Sequence, residues 1–411
     1  MPGSRSASTR AKTRSKMNMK KPATILSFTL LVVMTGYGMV MPIMPFYIEK
    51  LGAGGRELGW LMASYSLMQL ICAPAWGMLS DRIGRKPVLT IGVLGYAITL
   101  FLFGLADQLW MLFLARSLSG ILSSATMPTA MAYIGDHAPK EERSQSMGQL
   151  SAAMGIGVVA GPLLGGLLSS DSLALPFFIG AGMAFLAFLL VIFILPESQA
   201  PQAPSGRKPR VNRLELRQVF TSPAAILLLP IFIMSFGLTS FQGITGLYVV
   251  DRFQFNTQQV GIVWMVMGGV LVLVQGLLTG PLCRRFGELP LIRVGLFGGA
   301  LGFLFFALAG QFLTILLALG FFSLSLALVG PALNGYISRF AGERQGTVMG
   351  MNSAATSLGR IVGPLWAGYL YDLNLVYPFF SGAVSLLLGL LVCLVGIRRQ
   401  PSNEKNQAVV I

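Results

Sequence analysis

Acid is what this chain has least of. Fifteen Asp and Glu stand against 30 Lys and Arg in 411 residues, a formal net charge of +15, and charged residues of both signs make up only 11%. There is one histidine, His137, and there are three cysteines, Cys72, Cys283 and Cys393. A lone histidine with no H-E-x-x-H leaves no zinc-hydrolase constellation, and no pair of acids falls inside an apolar run to act as general acid and base. His137 reads as an ordinary loop residue. No G-x-x-x-x-G-K-[ST] loop is present, so a nucleotide-driven pump of that kind is excluded. The cysteines lie in or at the ends of apolar runs without metal-ligand spacing and read as small packing residues. No enzyme activity, metal centre or cofactor is expected.

Apolar residues fill the space instead. They make up 54% of the chain, with 49 glycines, and the mean hydropathy is +0.71. Twelve apolar runs stand at about 24–48, 58–79, 88–106, 110–135, 145–169, 175–195, 224–249, 258–280, 291–309, 312–338, 347–372 and 377–397. Each is long enough to cross a hydrocarbon core of about 30 Å as a helix. Helices satisfy their own backbone hydrogen bonds in lipid, so an all-α polytopic bundle follows, and the period-2 segments of a barrel are absent. The first run has no small-residue cleavage site and continues into "MVMPIMPFYIEKLG", so it reads as an uncleaved span.

The positive charge has a topological pattern. Of the 30 basic residues only Lys50, Arg56 and Arg252 fall on one side of the alternating loops, and only Arg116 and Arg360 fall within runs. The rest share the other side, which the positive-inside bias makes cytoplasmic. Both termini are therefore expected in the cytoplasm, the chain in the cytoplasmic (inner) membrane, and the lipid bilayer rather than nucleic acid as its surroundings.

The chain also repeats itself. "YIGDHAPKEERSQSMG" (133–148) is echoed by "YISRFAGERQGTVMG" (336–350), Gly161-Pro162 by Gly363-Pro364, and "GMLSDRIGRKPVL" (77–89) faintly by "GPLCRRFGELPLI" (280–292), at offsets of 201 to 203 residues. Two parallel six-helix halves are expected: a basic tail at 1–22, one bundle at 23–197, a linker at 198–222 with a short surface helix near 211–219, a second bundle at 223–398, and a tail at 399–411. Such halves are the plan of a large transporter class that binds substrate near the bilayer midplane between them.

Four motifs carry a resemblance. "GMLSDRIGRK" resembles the cytoplasmic signature between helices 2 and 3 of the major facilitator superfamily. "GYGMVMPIMPFY" (36–47), "LARSLSGILSS" (114–124) and "GIGVVAGPLLGG" (155–166) are similar to the helix 1, 4 and 5 motifs of its twelve-helix drug:proton antiporters. The stretch "YSLMQLICAPAWGMLSDRIGRKPVL" looks most like the tetracycline and multidrug efflux branch. The resemblance implies a secondary-active exporter of small amphipathic drugs, working as a monomer and driven by an ion gradient, most simply of protons. It implies gating by Gly77, Asp81, Arg82, Gly84, Arg85 and Lys86, with Asp81 set against the start of helix 11 and Arg85 paired with Asp136. It also gives Arg116 a part in proton coupling.

The small residues Gly157, Gly161 and Gly165, with a kink at Pro162, are expected to give helix 5 a flat face against the other half. No acid falls mid-run: where the efflux relatives carry acids in helices 1 and 7, this sequence has Val33 and Gln242. Proton carriage then falls to Asp136, Asp251 or Asp372, with Arg116 or Arg360 tuning it. The alternative is a proton-independent transporter of the same fold, or one for neutral, zwitterionic or lipid-like solutes. In this fold the candidate substrate residues are Tyr37, Met41, Tyr65, Gln69, Met127, Phe241, Gln242, Trp264, Gln275, Asn334 and Asn352, since Met and aromatic side chains adapt to shape and amides orient a ligand.

Overall fold

The structure is a computed structural model and describes residues 20–197, 223–341 and 345–395. Among these residues the chain forms twelve long helices: α1 Lys20–Lys50, α2 Gly55–Ile83, α3 Arg85–Gly104, α4 Leu109–His137, α5 Lys140–Leu168, α6 Leu175–Ile194, α7 Pro223–Phe253, α8 Thr257–Phe286, α9 Glu288–Leu308, α10 Phe312–Ala341, α11 Gln345–Leu373 and α12 Tyr377–Val395. The expected linker with its surface helix, and the tails apart from residues 20–22, lie outside the described residues. Eleven of the twelve helices are long and apolar enough to cross a membrane. The exception is α11, whose Gln345, Asn352, Arg360 and run of small hydroxyl residues make it too polar.

Two helices are interrupted. In α4 the segments Leu109–Ser123 and Thr126–His137 meet at Ser124, whose hydroxyl donates back to the Ile121 carbonyl at 2.7 Å. Such back-bonding from a serine competes with the helical ladder and bends it. In α8 a π-turn at Val274–Leu278 separates Thr257–Leu273 from Thr279–Phe286.

Gly84 joins α2 to α3 with φ 99° and ψ 165°, and Gly287 joins α8 to α9 with φ 79° and ψ 166°. A side chain is strained in that conformation, so glycine at both points lets consecutive helices reverse without a loop.

Each half is built around its fifth helix. In the first half α5 lies on α1: a Cβ on Gly157 would stand 2.7 Å from the Leu31 carbonyl oxygen, and one on Gly165 2.8 Å from the Met39 backbone. Gly161 meets the backbone at Thr35 and Gly38. In the second half α11 lies on α7 in the same way, with Gly359 against Phe232 and Gly363 against Phe236. The expected glycine face of α5 therefore packs within its own half, not across to the other. Positions 157, 161 and 165 lie four apart on one stripe, and that stripe is occupied by α1.

Contact between the halves uses the next face round. A Cβ on Gly261 of α8 would stand 2.7 Å from the Pro162 carbonyl, and one on Gly59 of α2 would stand 2.5 Å from the Pro364 carbonyl. Gly166 faces Thr257, and Gly368 faces Gly55. So α2 meets α11 and α5 meets α8, two pseudo-symmetric seams. They lie toward the end away from the basic loops.

Apolar side chains fill the interior of each half. In the second, Phe241 is fully buried among Phe303, Phe306, Phe322 and Phe379, stacked on Phe322 with ring centroids 4.0 Å apart. In the first, Phe103 stacks on Phe177 at 5.4 Å, and Tyr47 meets the same ring edge-on.

Replacing Gly84 by Ala forces a side chain into a glycine-only conformation and against Glu197, whose carboxylate would lie 2.9 Å from the new Cβ. The variant is expected to lose about 1–3 kcal/mol of stability. Thermal unfolding of detergent-solubilised protein checks this, and Gly287→Ala is expected to fall by a comparable amount.

Candidate functional site: a cationic cavity between the halves

A cavity in two lobes lies where the two halves face one another. One lobe is lined by Tyr37, Met41, Met62, Tyr65, Ser66, Arg116, Thr239, Gln242, Gly243, Arg360 and Pro364. The second is lined by Tyr37, Gly38, Met41, Val158, Pro162, Gln242, Trp264, Met267, Gly268 and Leu271. Tyr37, Met41 and Gln242 belong to both, so the lobes adjoin. Helices α1, α2, α4, α7 and α11 supply the first lobe; α1, α5, α7 and α8 supply the second.

The first lobe is polar because of what α2, α4 and α11 bring to it. Arg116 of α4 is 2% exposed. Its guanidinium carbon sits 4.7 Å from the Tyr65 ring centre and 5.8 Å from that of Tyr37, and Nη2 approaches the Met62 sulfur at 3.4 Å. Its Nε has no hydrogen-bond partner. Arg116 thus turns inward onto aromatic faces and does not reach back to a surface. The Tyr65 hydroxyl is 3.1 Å from that of Ser123, which fixes the ring beneath the cation. Arg360 is half-buried and faces the same lobe from the other half.

No carboxylate lines either lobe among the described residues. The second lobe is apolar apart from Gln242 and the Tyr37 hydroxyl, and Trp264 and Met267 shape its wall.

The structure gathers five of the eleven expected substrate residues on this cavity: Tyr37, Met41, Tyr65, Gln242 and Trp264. Phe241 is not one of them, because the residue next to Gln242 points about 100° away, into the aromatic core. Asn352 donates to Asn334 at 2.7 Å, so those amides tie α10 to α11. Gln69 is half-buried one turn beyond Tyr65, outside the lining of both lobes, and Met127 and Gln275 are exposed. Sequence reasoning missed Met62, Ser66 and Thr239. Met62 stands three before Tyr65 and Thr239 three before Gln242, and that helical spacing was the available signal; Ser66, next to Tyr65, carried none.

At the basic end, Arg85 holds two acids. Its Nη1 lies 2.6 Å from Asp81 and its Nε 2.9 Å from Asp136, and it also donates to the Ser80 hydroxyl at 3.0 Å. The expected Arg85–Asp136 pair is present. Arg82 is exposed and Lys86 half-buried beside it. In the second half the ion pair Arg339–Glu288 occupies the positions 203 residues on, with the charges exchanged: Glu288 stands for Arg85 and Arg339 for Asp136.

Asp81 is 67% exposed, and a Cβ on Gly77, Gly148, Gly346 or Gly350 would meet nothing within 4 Å. Among the described residues the halves are therefore parted at the basic end, and Asp81 touches none of those at the start of α11 in this arrangement.

The far end is shut. Asp372, near the C-terminus of α11, accepts from the backbone N–H of Gly55 at 2.8 Å and of Arg56 at 3.3 Å, and pairs with Arg56 Nε at 3.2 Å. A carboxylate of one half thus caps the N-terminus of α2 in the other, where the helix dipole favours it. Asp251 of α7 accepts from the neighbouring Tyr371 hydroxyl at 2.7 Å. The three acids expected to carry protons are all placed outside the cavity, one at the basic end and two at the far end.

The model of the Major Facilitator Superfamily matches residues 26–364 and 274–410. Multidrug resistance protein 2 of Bacillus subtilis (strain 168) is 34% identical over 392 residues, covering 94% of this chain and 96% of its own. Quinolone resistance protein NorA of Staphylococcus aureus (strain COL) is 28% identical over 380 residues, covering 92% and 97%. The fold is shared with the human organic anion transporter MFSD10 (TETRAN), at a TM-score of 0.66 and 23% identity over 92% of this chain and 99% of that one. It is shared too with the nucleoside transporter NupG, at 0.76 and 15% over 91% and 98%. Twelve helices in two repeated halves around a central cavity, and a match across most of the chain, place this integral membrane protein in the Major Facilitator Superfamily of transporters.

Proposed function

We propose that the chain exports amphipathic drugs across the cell membrane by alternating access. The observation that carries this reading is the two-lobed cavity between the halves, shut at one end and parted at the other. The relatives named for multidrug and quinolone resistance support the direction and the class of cargo. With the basic end in the cytoplasm, as the charge bias requires, the arrangement faces inward, ready to load from the cell. One chain encloses the whole cavity, so a monomer suffices.

The switch lies in the antiparallel pair of α2 and α11. At the outer end the carboxylate of Asp372 caps α2, and at the inner end Asp81, here held by Arg85, would cap α11 once the halves rock together there. Each carboxylate meets the other helix's N-terminus in only one of the two states, so the two contacts exclude one another. Asp372 is the first proton carrier to test, because it is the acid in direct contact with the opposite half. Asp136 and Asp251 are the other carriers to test. The absence of a carboxylate from the cavity lining favours a second reading, transport without protons.

Efflux of tetracycline and of a fluorescent amphiphile from proteoliposomes, with and without an imposed pH gradient, separates the two. Uphill movement only with the gradient is expected. Movement indifferent to it would leave export by exchange or facilitation.

For the outer cap, Asp372→Ala is expected to lose about 1–2 kcal/mol of closure, near tenfold in the population open to the outside. The readout is labelling of Met41→Cys by a membrane-impermeant thiol reagent added outside, with Cys72, Cys283 and Cys393 replaced. Unchanged labelling would remove Asp372 from the gate.

A further inference from the structure

We infer that the first lobe of the cavity is a receptor for an anionic group on the substrate, a carboxylate held between Arg116 and Arg360, and that cargo is selected for bearing one. The inference rests on the export reading above and names the chemical class of its cargo.

Arg116 supplies the strongest reason. A guanidinium 2% exposed inside a membrane helix is costly unless paired. Here it has no ion pair among the described residues, its hydrogen-bond partner is a thioether, and its Nε is unsatisfied. The rings of Tyr65 and Tyr37 offset part of the cost through their negative faces. They also hold the cation at the cavity wall, since both rings line the lobe with it. What is missing is an anion, and the chain provides none.

Arg360 completes the geometry. It enters the same lobe from α11 of the opposite half and has no ion pair among the described residues. Two cations facing one space repel each other unless a negative group lies between them. Guanidinium forks match the two oxygens of a carboxylate, and the Ser66 hydroxyl stands in the same wall to donate further. The adjoining lobe, with Trp264 and Met267, takes an apolar body. An aromatic acid or a zwitterion with one carboxylate fits both lobes at once, whereas a lipophilic cation would meet two like charges and no acid.

Because the two arginines come from different halves, a carboxylate bridging them also pulls the halves together around the cargo. Substrate charge then contributes to occlusion as well as to recognition.

The test uses a matched pair of dyes, rhodamine B and its ethyl ester, which share the same xanthene body and differ in one free carboxylate. Binding to the full-length, detergent-purified protein is read by fluorescence anisotropy. The free acid is expected to bind about tenfold more tightly than the ester, as a charge-assisted contact implies. That preference is expected to vanish in Arg360→Gln and to survive in part in Arg360→Lys. Arg360 is the half-exposed member of the pair, so its variants are expected to fold even if Arg116→Gln does not.

Equal affinity for the two dyes, tighter binding of the ester, binding of neither, or a preference unchanged in Arg360→Gln overturns the inference. The outcomes are separable from those for export. Dye moved by proteoliposomes without a charge preference would sink the anion receptor and leave export standing. A charge-selective binding site in a protein that moves no dye would do the reverse.

Discussion

Backbone-on-backbone contact at glycine is the constraint on which this architecture depends. In a bilayer the hydrophobic effect gives little reason for one apolar helix to prefer another, so association rests on how closely helices can approach. Here α5 and α11 each carry a Gly-Pro step with glycines four apart, and each lies flat on the first helix of its own half. The same helices then present the proline carbonyl and a further small residue on the adjacent face, where a glycine of the opposite half meets them. One helix per half thus serves both as the spine of its bundle and as the surface that the other half meets. A bulky residue on either face would separate one set of neighbours and leave the other intact.

Electrostatics divides the labour along the membrane normal. Among the described residues carboxylates stand at the helix ends, several of them paired with arginine or capping a helix, while the middle holds two cations against aromatic and apolar walls. That separation lets the gates and the cargo site respond to different chemistry. Under the proposed mechanism, neutralising an acid at an end would change which end is shut, and an anion in the middle would change how strongly the halves attract. The exchanged pair Glu288–Arg339 shows that the duplicated scaffold retained the contact between third and fourth helices of each half without retaining which helix carries which sign.

Much of this was legible in the sequence. Apolar runs placed all twelve helices to within a few residues, because span length is dictated by bilayer thickness. The repeat was readable from Gly-Pro and Tyr positions, and its offset of 203 residues relates Gly84 to the second glycine turn, at Gly287. The pair Arg85–Asp136 came through the resemblance, not through spacing. What failed was direction around a helix axis. Phe241 and Gln242 both looked like pocket residues, yet neighbours along a helix diverge by about 100° and only Gln242 reaches the cavity. Asn334 and Asn352 find each other across α10 and α11, and that register between helices has no signature in one chain. The glycines of α5 were correctly read as a contact face but assigned the wrong neighbour, since a flat face does not name what lies on it.

The polarity of α11 bears on how the protein is made. A helix carrying Arg360 and Asn352 in its length has little tendency to enter lipid alone, where an arginine near the centre costs about 2.5–3.5 kcal/mol. Its glycine-lined face rests on α7, whose Ser235, Thr239 and Ser240 hydroxyls donate to carbonyls of Thr356, Gly359 and Gly363. That partner is synthesised more than a hundred residues earlier, so α7 must be waiting beside the insertion site when α11 emerges. The second half is therefore assembled as a group of spans, and biogenesis of the protein depends on the same hydroxyl–carbonyl contacts that hold the finished transporter together.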